Sequence, residues 1–571
     1  MKKLMTGVSA LVLISACGGA SEEDVANEVA TRVADASSAA VESAEDALAA
    51  LGNITLRSGD ASKADEALAA MSLASSGDGR VAFNSKSVDG ASARFEGVTI
   101  AIPEVEVDDN EDVDVDTGFS GGVINVETVE FDGLDVTDEG ATFSRMAFNK
   151  IELVPNDAEA AEQADVDIGT FEIVNPSPQM ASWVASLMGN GAPADFPSGE
   201  ALSFEKMSLA DMSLVSDNTE DGTTADVAIA SIDFGAAAEN RMGIAAIRGV
   251  SMDVTDGEDG GTFNVSLASL GVSGAQTGIV GAIANAADGD DDAEAAEAIL
   301  GAIYENPVDP GYDRFQLRDL AITGEGVNFS LPSIDNFVQR RDDGQPIGFV
   351  TEPYTLTLSA DPDGGEAGGE LAGQLGMIGF ETIELSGKGK SSYDPDTDRL
   401  TMEPGDNTIA LKDAFEVKFG ADLGGYKAYG AAFQNLDLEG MAEEGAPDPT
   451  LMQDAVSALS LYGLELEFDD NSMVDRIFNV LAAQSGEDPQ AMRTQAIGFL
   501  GMAPMMASGA GVDMNIVTEA TTAISAFLQS PGTLTIKLDP ETPLSAETFE
   551  GLDDPSGLTK EILGFSITHT E

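Results

Sequence analysis

The feature that most constrains this chain is a degenerate hairpin repeat. Its first half places apolar residues at positions 1, 4 and 6, its second half at positions 1, 3 and 6, and an acidic, glycine-containing turn separates the halves. The copies are Phe131-Leu134-Val136 with Met146-Phe148-Ile151, Leu209-Met212-Leu214 with Val227-Ile229-Ile232, Ile247-Val250-Met252 with Val265-Leu267-Leu270, and Leu317-Leu320-Ile322 with Phe329-Leu331-Ile334. Related single strands are Phe95-Val98-Ile100, Phe433-Leu436-Leu438 and Leu461-Leu464-Leu466. Each full copy predicts a β-hairpin.

The three-residue step inside each half departs from strand alternation. Successive side chains of a strand point to opposite faces, so a step of three would send one apolar residue to the wrong face. An extra residue, or β-bulge, near the Gly or Asp restores a single apolar face and bends the strand. The pattern therefore predicts a curved antiparallel sheet of bulged hairpins.

Helices are expected to interrupt and follow this sheet. Helical spacing predicts helices over residues 179–189 and 473–484, with Asn471-Ser472 as the cap of the second, and short helices within 277–304. Asp488-Pro489 opens a helix to about residue 507, a further helix covers 512–529, and Leu534-Ile536-Leu538 is a closing strand. Residues 346–438 are expected to be β, with a turn at 393–398. The fold class is α+β, mainly β, with inserted helices and a helical C-terminal part.

Charge and rare residues exclude several functions. The 571 residues carry 27 Lys and Arg against 101 Asp and Glu, a net charge of −74, so nucleic acid and anionic lipid surfaces are repelled. With one His and one Cys, neither a Ser-His-Asp triad nor an internal disulfide is available. His569 lies third from the C-terminus, where fraying is expected. No catalytic residue, metal ligand or cofactor is assigned.

The N-terminal residues form a targeting segment. Lys2 and Lys3 precede an apolar run over 4–14, which is too short to span a bilayer, and Ile14-Ser15-Ala16-Cys17 follows. This tetrapeptide resembles the lipobox of bacterial lipoproteins. The resemblance implies that residues 1–16 are a signal peptide, that Cys17 carries the lipid, and that Gly18 favours the outer membrane. The alternative is an ordinary secretory signal with an incidental Cys.

The remaining chain is expected to fall into three parts. Residues 17–85 are a lipid-anchored helical stalk followed by a loose linker, 86–440 are the hairpin body and 441–571 are an α/β part. The acidic run at 108–116 could collect divalent cations, and Asp394-Asp396-Asp398 has the opening spacing of a Ca²⁺ loop. Arg399 stands where that loop needs Gly, and Gly405 where it needs Glu, so an ordinary acidic turn is favoured.

Methionines form the other unusual cluster, at Met492, Met502, Met505, Met506 and Met514. Met adapts to irregular apolar ligands, but buried helix packing explains the cluster equally well and is favoured. The lone Trp183 is expected to be a core residue rather than a ligand platform.

The hairpins, the turn at 393–398 and the segment 469–484 resemble uncharacterised envelope proteins of alphaproteobacteria. More distantly they resemble AsmA-, TamB- and YdgA-type β-repeat proteins, whose long β grooves are associated with lipid traffic. The resemblance implies a non-enzymatic envelope lipoprotein that faces the periplasm, contacts the membrane through its anchor, and binds a lipid or an envelope protein. The alternatives are a Ca²⁺-stabilised structural or adhesive surface protein and a carboxylate-based hydrolase.

Overall fold

A computed structural model describes residues 51–571 apart from 78–79, 103–121, 139, 156–163, 189–196, 198–201, 219–221, 239–240, 256–260, 277–308, 434–456, 508–512, 547 and 549–556. The described residues form two compact units. The N-terminal unit contains those up to 276 together with 312–325, and the C-terminal unit contains 309–311 and those from 326 onward. Both are built mainly from antiparallel strands with helices between them, which confirms the predicted fold class.

The N-terminal unit is a chain of neighbouring antiparallel strands. These are β1 (Val81–Ala82), β2 (Ser85–Asp89), β3 (Ser92–Ile102), β4 (Gly122–Asp132), β5 (Asp135–Thr137), β6 (Gly140–Thr142), β7 (Arg145–Pro155), β8 (Ala164–Val174), β9 (Phe204–Asn218), β10 (Thr223–Ala238), β11 (Arg241–Thr255), β12 (Thr262–Gln276) and β13 (Arg314–Gly324). Strand β3 pairs with β1, β2 and β4, and pairing then follows the chain from β4 to β7 and onward to β13. Strands β5 and β6 form a separate two-stranded ribbon.

The two central copies of the repeat form the predicted hairpins. In β9 and β10, Leu209 pairs with Ile232, Met212 with Ile229, and Leu214 with Val227. In β11 and β12 the three predicted apolar pairs form in the same order. The repeat therefore identifies both the strands and their register.

The first copy pairs differently from the prediction. Phe131 pairs with Met146, but Phe148 faces Val129 rather than Leu134, because β4 ends at Asp132. Gly133 turns the chain there with a φ of 64°, a conformation that favours glycine. The pattern continued past the end of the strand, so the predicted hairpin was wrong in its register.

Two helices pack on the N-terminal unit. They are α1 (Ala64–Ala70) and α2 (Pro178–Met188), and the second confirms the helix expected at 179–189. Residues 52–85, expected to be a loose linker, instead contain α1, whose Leu68 is completely buried in the core of the strands. That part of the prediction was wrong because this short helix carries a single large apolar side chain, Leu68, among four alanines, which gives little periodic signal. The expected stalk before residue 51 lies outside the described residues.

The described residues of the C-terminal unit form nine strands. They are β14 (Val327–Arg340), β15 (Pro346–Ala360), β16 (Thr382–Asp394), β17 (Arg399–Met402), β18 (Thr408–Leu411), β19 (Phe415–Gly424), β20 (Ser460–Asp470), β21 (Thr533–Leu538) and β22 (Phe565–Thr570). Pairing runs from β14 through β16, from β16 to both β17 and β18, from these to β19, and on to β22. Asp394 pairs with Arg399 across the predicted acidic turn, so that hairpin is confirmed.

Two helices of this unit were not expected. They are α3 (Glu366–Met377) and α4 (Tyr426–Phe433), within a stretch predicted to be β. Four glycines in α3 weaken its helical signal. Leu371 and Leu375, one turn apart, pack with Phe380 and hold the helix in place.

The later helices follow the predicted order. They are α5 (Met473–Ser485), α6 (Pro489–Leu500), α7 (Ala503–Ala507), α8 (Met514–Gln529) and α9 (Lys560–Leu563). Asp488 caps α6 as expected by accepting from the backbone N–H groups of Gln490 and Ala491. At α5 the predicted Ser472 cap was wrong, because its hydroxyl faces the Asp413 carbonyl and the Asp470 carboxylate accepts from the Val474 N–H instead.

The C-terminal residues do not fray. Strand β22 pairs along its length with β21, and His569 lies opposite Leu534. The imidazole meets the ring of Phe527 edge-to-face, with 6.0 Å between centroids. The lone histidine is therefore a packed strand residue, which corrects the expectation that it lies in a frayed end.

Candidate functional site

A line of unpaired residues crosses the sheet of the N-terminal unit. At one level of the sheet each of nine strands leaves one residue out of the ladder, and on neighbouring strands these residues face each other. We call this line the crease, and it consists of Gly97, Glu127, Lys150, Gly169, Asp211, Ala230, Gly249, Ala268 and Asp319. Strands β9 to β12 leave out a second residue at another level, Glu205, Ala236, Gly243 and Gly274. Because both strands of each pair interrupt at the same level, the register is unchanged on either side. The predicted extra residue is present in every strand, but no strand slips against its neighbour.

The backbone turns left-handed at every second strand of the crease. The φ angles are 60° at Gly97, 54° at Lys150, 53° at Asp211, 61° at Gly249 and 50° at Asp319. A residue other than glycine in this region costs about 1–2 kcal/mol. The turn reverses side-chain alternation, so apolar residues three apart lie on one face.

That single face carries four register-matched rows of apolar side chains, which we call the apolar face. The first row is Ala93, Phe131, Met146, Ile173, Met207, Phe234, Ala245, Val272 and Phe315; the second is Phe95, Val129, Phe148, Phe171, Leu209, Ile232, Ile247, Leu270 and Leu317. The third is Val98, Val126, Ile151, Ile168, Met212, Ile229, Val250, Leu267 and Leu320; the fourth is Ile100, Ile124, Leu153, Val166, Leu214, Val227, Met252, Val265 and Ile322. No row contains a charged or polar side chain.

One part of the apolar face is covered. On β3, β4 and β7 most of its side chains are buried in one cluster with α1 and α2, including Leu68 and Met180. Phe131 lies edge-to-face with Phe95 and Phe143, at centroid distances of 6.2 and 5.6 Å. We call this the covered part, and it is an ordinary hydrophobic core. Trp183 packs against it, as expected.

The other part of the apolar face is less buried. We call it the half-covered part, and it comprises the second, third and fourth rows on β8 to β13. All of these side chains are half-buried except Leu317, which is 9% exposed. Seventeen of these eighteen apolar side chains, spread over six strands, thus retain partial solvent exposure in a protein in which 22% of residues are charged. Large apolar surfaces of this kind mark sites of ligand or partner binding.

The opposite face of the same strands carries their charged side chains, together with a small apolar cluster of Ile244, Ala246 and Leu51. Asp233 is buried there, its carboxylate accepting from Ser231 Oγ at 2.7 Å and from Arg248 Nη2 at 2.7 Å. Lys206 Nζ and Arg145 Nε both donate to Glu172, at 2.5 and 2.6 Å. The two faces thus separate charge from apolar surface across one sheet.

Glu172, on the charged face, has a pKa set by two opposing effects. Burial raises the pKa of its carboxyl, but the hydrogen bonds from Lys206 and Arg145 outweigh burial and hold the pKa below the ordinary value of 4.5. The carboxylate is therefore ionised at neutral pH and belongs to a structural network that links β7, β8 and β9.

An open pocket of about 250 Å³ also lies in this unit, over β2 to β4. Its lining is polar, and it includes the ion pair between Arg94 and Glu130. Asp132, also in the lining, accepts from Arg145 Nη1 at 3.3 Å. Two of the three lining carboxylates, those of Glu130 and Asp132, are thus engaged by guanidinium groups.

The acidic turn at 394–398 engages its own carboxylates. Asp394 accepts from the Asp396 N–H at 2.9 Å and from Thr397 Oγ1 at 2.7 Å. Burial raises the pKa of Asp394, but these hydrogen bonds outweigh burial and hold the pKa below its ordinary value. Asp398 accepts from the Tyr393 hydroxyl at 2.9 Å. In the described parts of the chain, His, Cys, Asp and Glu side chains form no group of three or more suited to a metal ion.

The methionine cluster is the clearest correction to the sequence-based expectations. Met492 packs against the core of α5 and α8 as expected. The other four are exposed, with Met505 at 79% and Met506 at 77%, so core packing was the wrong interpretation for them. Helical spacing could not reveal this, because α6 ends at Leu500 and the chain turns before α7.

Other predicted sites lie outside the described residues. These are Cys17 with its targeting segment, the acidic run at 108–116 and the helices expected at 277–304. Among the helices that are described, none has the length and hydropathy needed to cross a bilayer.

Comparison with known proteins adds one finding. A family model described as an uncharacterized protein matches residues 408–570, which run from β18 to β22 within the C-terminal unit. No curated protein matches the chain.

Proposed function

We propose that this protein is a non-enzymatic, lipid-anchored lipoprotein of the bacterial outer membrane that faces the periplasm. Its half-covered apolar face holds the acyl chain of a lipid during envelope assembly or maintenance. The observation that carries the proposal is the set of eighteen register-matched apolar side chains on β8 to β13, with no polar group among them.

The dimensions of this surface suit an acyl chain. Six strands spaced about 4.8 Å apart span roughly 24 Å, and the five residue steps from Leu209 to Leu214 span about 17 Å. A bilayer core of about 30 Å gives each leaflet an acyl length of roughly 15 Å. One or two chains therefore fit on the surface without leaving it.

The chemistry of the surface also favours an acyl chain over a protein. Protein interfaces carry about one hydrogen bond per 100–200 Å². Neither Ile229 nor its paired neighbours Met212 and Val250 offers a hydrogen-bonding group. An acyl chain needs none, and its burial is favoured by about 25 cal/mol per Å² of apolar surface.

Two parts of the proposal rest mainly on the sequence: that the protein carries a lipid anchor, and that it is not an enzyme. The Ile14-Ser15-Ala16-Cys17 segment supports lipidation of the only cysteine. The only histidine, His569 in β22, packs against the ring of Phe527 in α8. The position of the cysteine in the lipobox-like segment and the packing of the histidine both support the proposal that the protein is not an enzyme.

The test is native mass spectrometry with lipid extraction on the full chain, purified in mild detergent from a bacterial envelope fraction. We expect a diacylglyceryl mass at Cys17 and, separately, a stoichiometric lipid that is lost on denaturation. The Cys17→Ser chain should lose the first mass and leave the outer-membrane fraction, but keep the second. A lipid-free protein from gentle preparations would contradict lipid holding, and an unmodified Cys17 would contradict the anchor.

A further inference from the structure

A second apolar surface lies in the C-terminal unit, apart from the apolar face. Four of the 17 exposed large apolar side chains among the described residues lie within the eight residues from 499 to 506. They are Phe499, Met502, Met505 and Met506, exposed by 60, 46, 79 and 77%. We call them the methionine patch.

The backbone arranges the patch on one side of a nearly continuous helical path. The Met502 N–H donates to the Phe499 carbonyl, and the Met505 and Met506 N–H groups both donate to the Met502 carbonyl, at 3.0, 3.0 and 3.2 Å. Steps of three and four residues along such a path share a face. The four side chains therefore project together into solvent, and α7 is held in place by packing against α8.

The stretch of sequence that carries the patch is uncharged. From 494 to 512 the sequence contains no Asp, Glu, Lys or Arg, although the whole chain carries a net charge of −74. The only polar side chains of this stretch are Thr494, Gln495 and Ser508, and the Thr494 hydroxyl is used within α6, donating to the Gln490 carbonyl at 2.8 Å. The patch thus lies within a stretch of chain that adds no charge of its own.

We propose that the methionine patch inserts into the interface of a zwitterionic lipid bilayer. Hydrocarbon makes no demand for charge or hydrogen bonds, and unbranched Met side chains adapt to a fluid surface. A second copy of the chain would bring another net charge of −74 against this one, and a protein partner would need polar groups at its rim that residues 494–512 hardly supply. This inference rests on the proposed function in one respect only: the proposed outer-membrane location supplies the bilayer that the methionine patch would meet.

The test is co-sedimentation of the chain from Gly18 onward, which lacks both the signal peptide and Cys17, with vesicles of pure phosphatidylcholine. We expect binding without any lipid anchor, and at least a fivefold weaker binding for the Met505→Asp/Met506→Asp variant. Met377→Asp is the matched control, because Met377 is also an exposed methionine, at 65%, but lies at the end of α3. It should bind as the unsubstituted chain does. Adding anionic lipid should weaken binding, since the net charge of the protein is negative.

A second measurement locates the part of the protein that inserts into the bilayer. In Phe499→Trp, quenching of fluorescence by brominated phosphatidylcholine should exceed that of the parent chain, whose only Trp183 lies against the N-terminal core. Wild-type protein that stays in the supernatant, equal binding by the double variant, or dimers that the double variant abolishes would each overturn the proposal. These outcomes concern the patch alone, because the lipid expected on the apolar face is measured separately.

Discussion

The covered and half-covered parts of the apolar face share one sequence pattern but differ in burial. On β7, Ile151 is 7% exposed within the main core, whereas Ile229 on β10, in the same row, is half-buried. The rows, the crease and the register continue unchanged between them. What differs is the cover, since α1 and α2 pack in the cluster that buries β3 to β7. A repeated strand pattern therefore sets which side chains share a face, while the segments between strands set how much of that face remains available.

The largest expected effect is on the covered part. Ile151→Ala should destabilise the N-terminal unit by about 2–5 kcal/mol, because it removes buried methyl groups from a packed core. The matched Ile229→Ala, in the same row but half-buried, should cost only about 1–2 kcal/mol, because less area is withdrawn from water. Urea unfolding followed by the fluorescence of Trp183, the only tryptophan, reports on this unit. Equal losses would show that the two parts are equally buried.

Substitution of a crease glycine by alanine should destabilise the N-terminal unit in both the covered and the half-covered part. Gly249→Ala forces a side chain onto a φ of 61°, and its Cβ would lie 2.7 Å from the Cβ of Ala230. The strain should cost about 1–3 kcal/mol. Gly97→Ala, at a φ of 60° on the covered part, should cost a similar amount if the crease is one feature across the sheet.

A glycine outside the crease provides the control. Gly373 lies within α3, and a Cβ there would meet nothing within 4 Å. Gly373→Ala should stabilise the C-terminal unit by about 0.5–1 kcal/mol, measured by the ellipticity of its helices during thermal unfolding. Destabilisation at Gly373, or none at Gly249, would contradict the role given to the left-handed positions.

The smallest effect concerns the strand at which the two parts meet. Glu172 on β8 has a lowered pKa, so its ionised form stabilises the folded state at neutral pH. That contribution is present above the ordinary value of 4.5 and is lost as the pH falls through the lower folded value. Glu172→Gln should therefore destabilise the unit at pH 7, and its deficit should shrink below pH 4.5.

The control for this titration is Asp226→Asn, which removes an exposed carboxylate from β10. Stability is followed by Trp183 fluorescence from pH 7 to the acid limit of folding. A deficit for Glu172→Gln that stays constant across this range would mean that its ion pairs with Lys206 and Arg145 add nothing through the charge of Glu172.

The strands could be predicted from the sequence better than the helices that pack on them. Apolar residues three apart identified the pairs in β9 to β12 because a crease in every strand repeats the same local rule. The same pattern predicted the wrong pairs for Leu134 and Val136, because it does not show that β4 ends before Gly133. It also failed at α1 and α3, since short or glycine-rich helices owe their stability to tertiary packing rather than propensity.

The candidate surfaces were predictable to different degrees. A one-sided apolar sheet follows from the repeat, but its division into covered and half-covered parts depends on contacts far apart in sequence. The exposure of Met505 and Met506 does not follow from helical spacing, because core and surface methionines share the same spacing. The absence of charge from 494 to 512 was the signal that could have found them.

The most direct measurement is titration of a fluorescent fatty acid into the full Cys17→Ser chain and two single variants. Val250→Asp places a carboxylate in the third row of the half-covered part, and Ser251→Asp places one on the opposite face of the same strand. We expect Val250→Asp to weaken binding at least tenfold and Ser251→Asp to leave it unchanged. Equal binding by all three proteins, or no saturable binding by any, would contradict a lipid site on the apolar face.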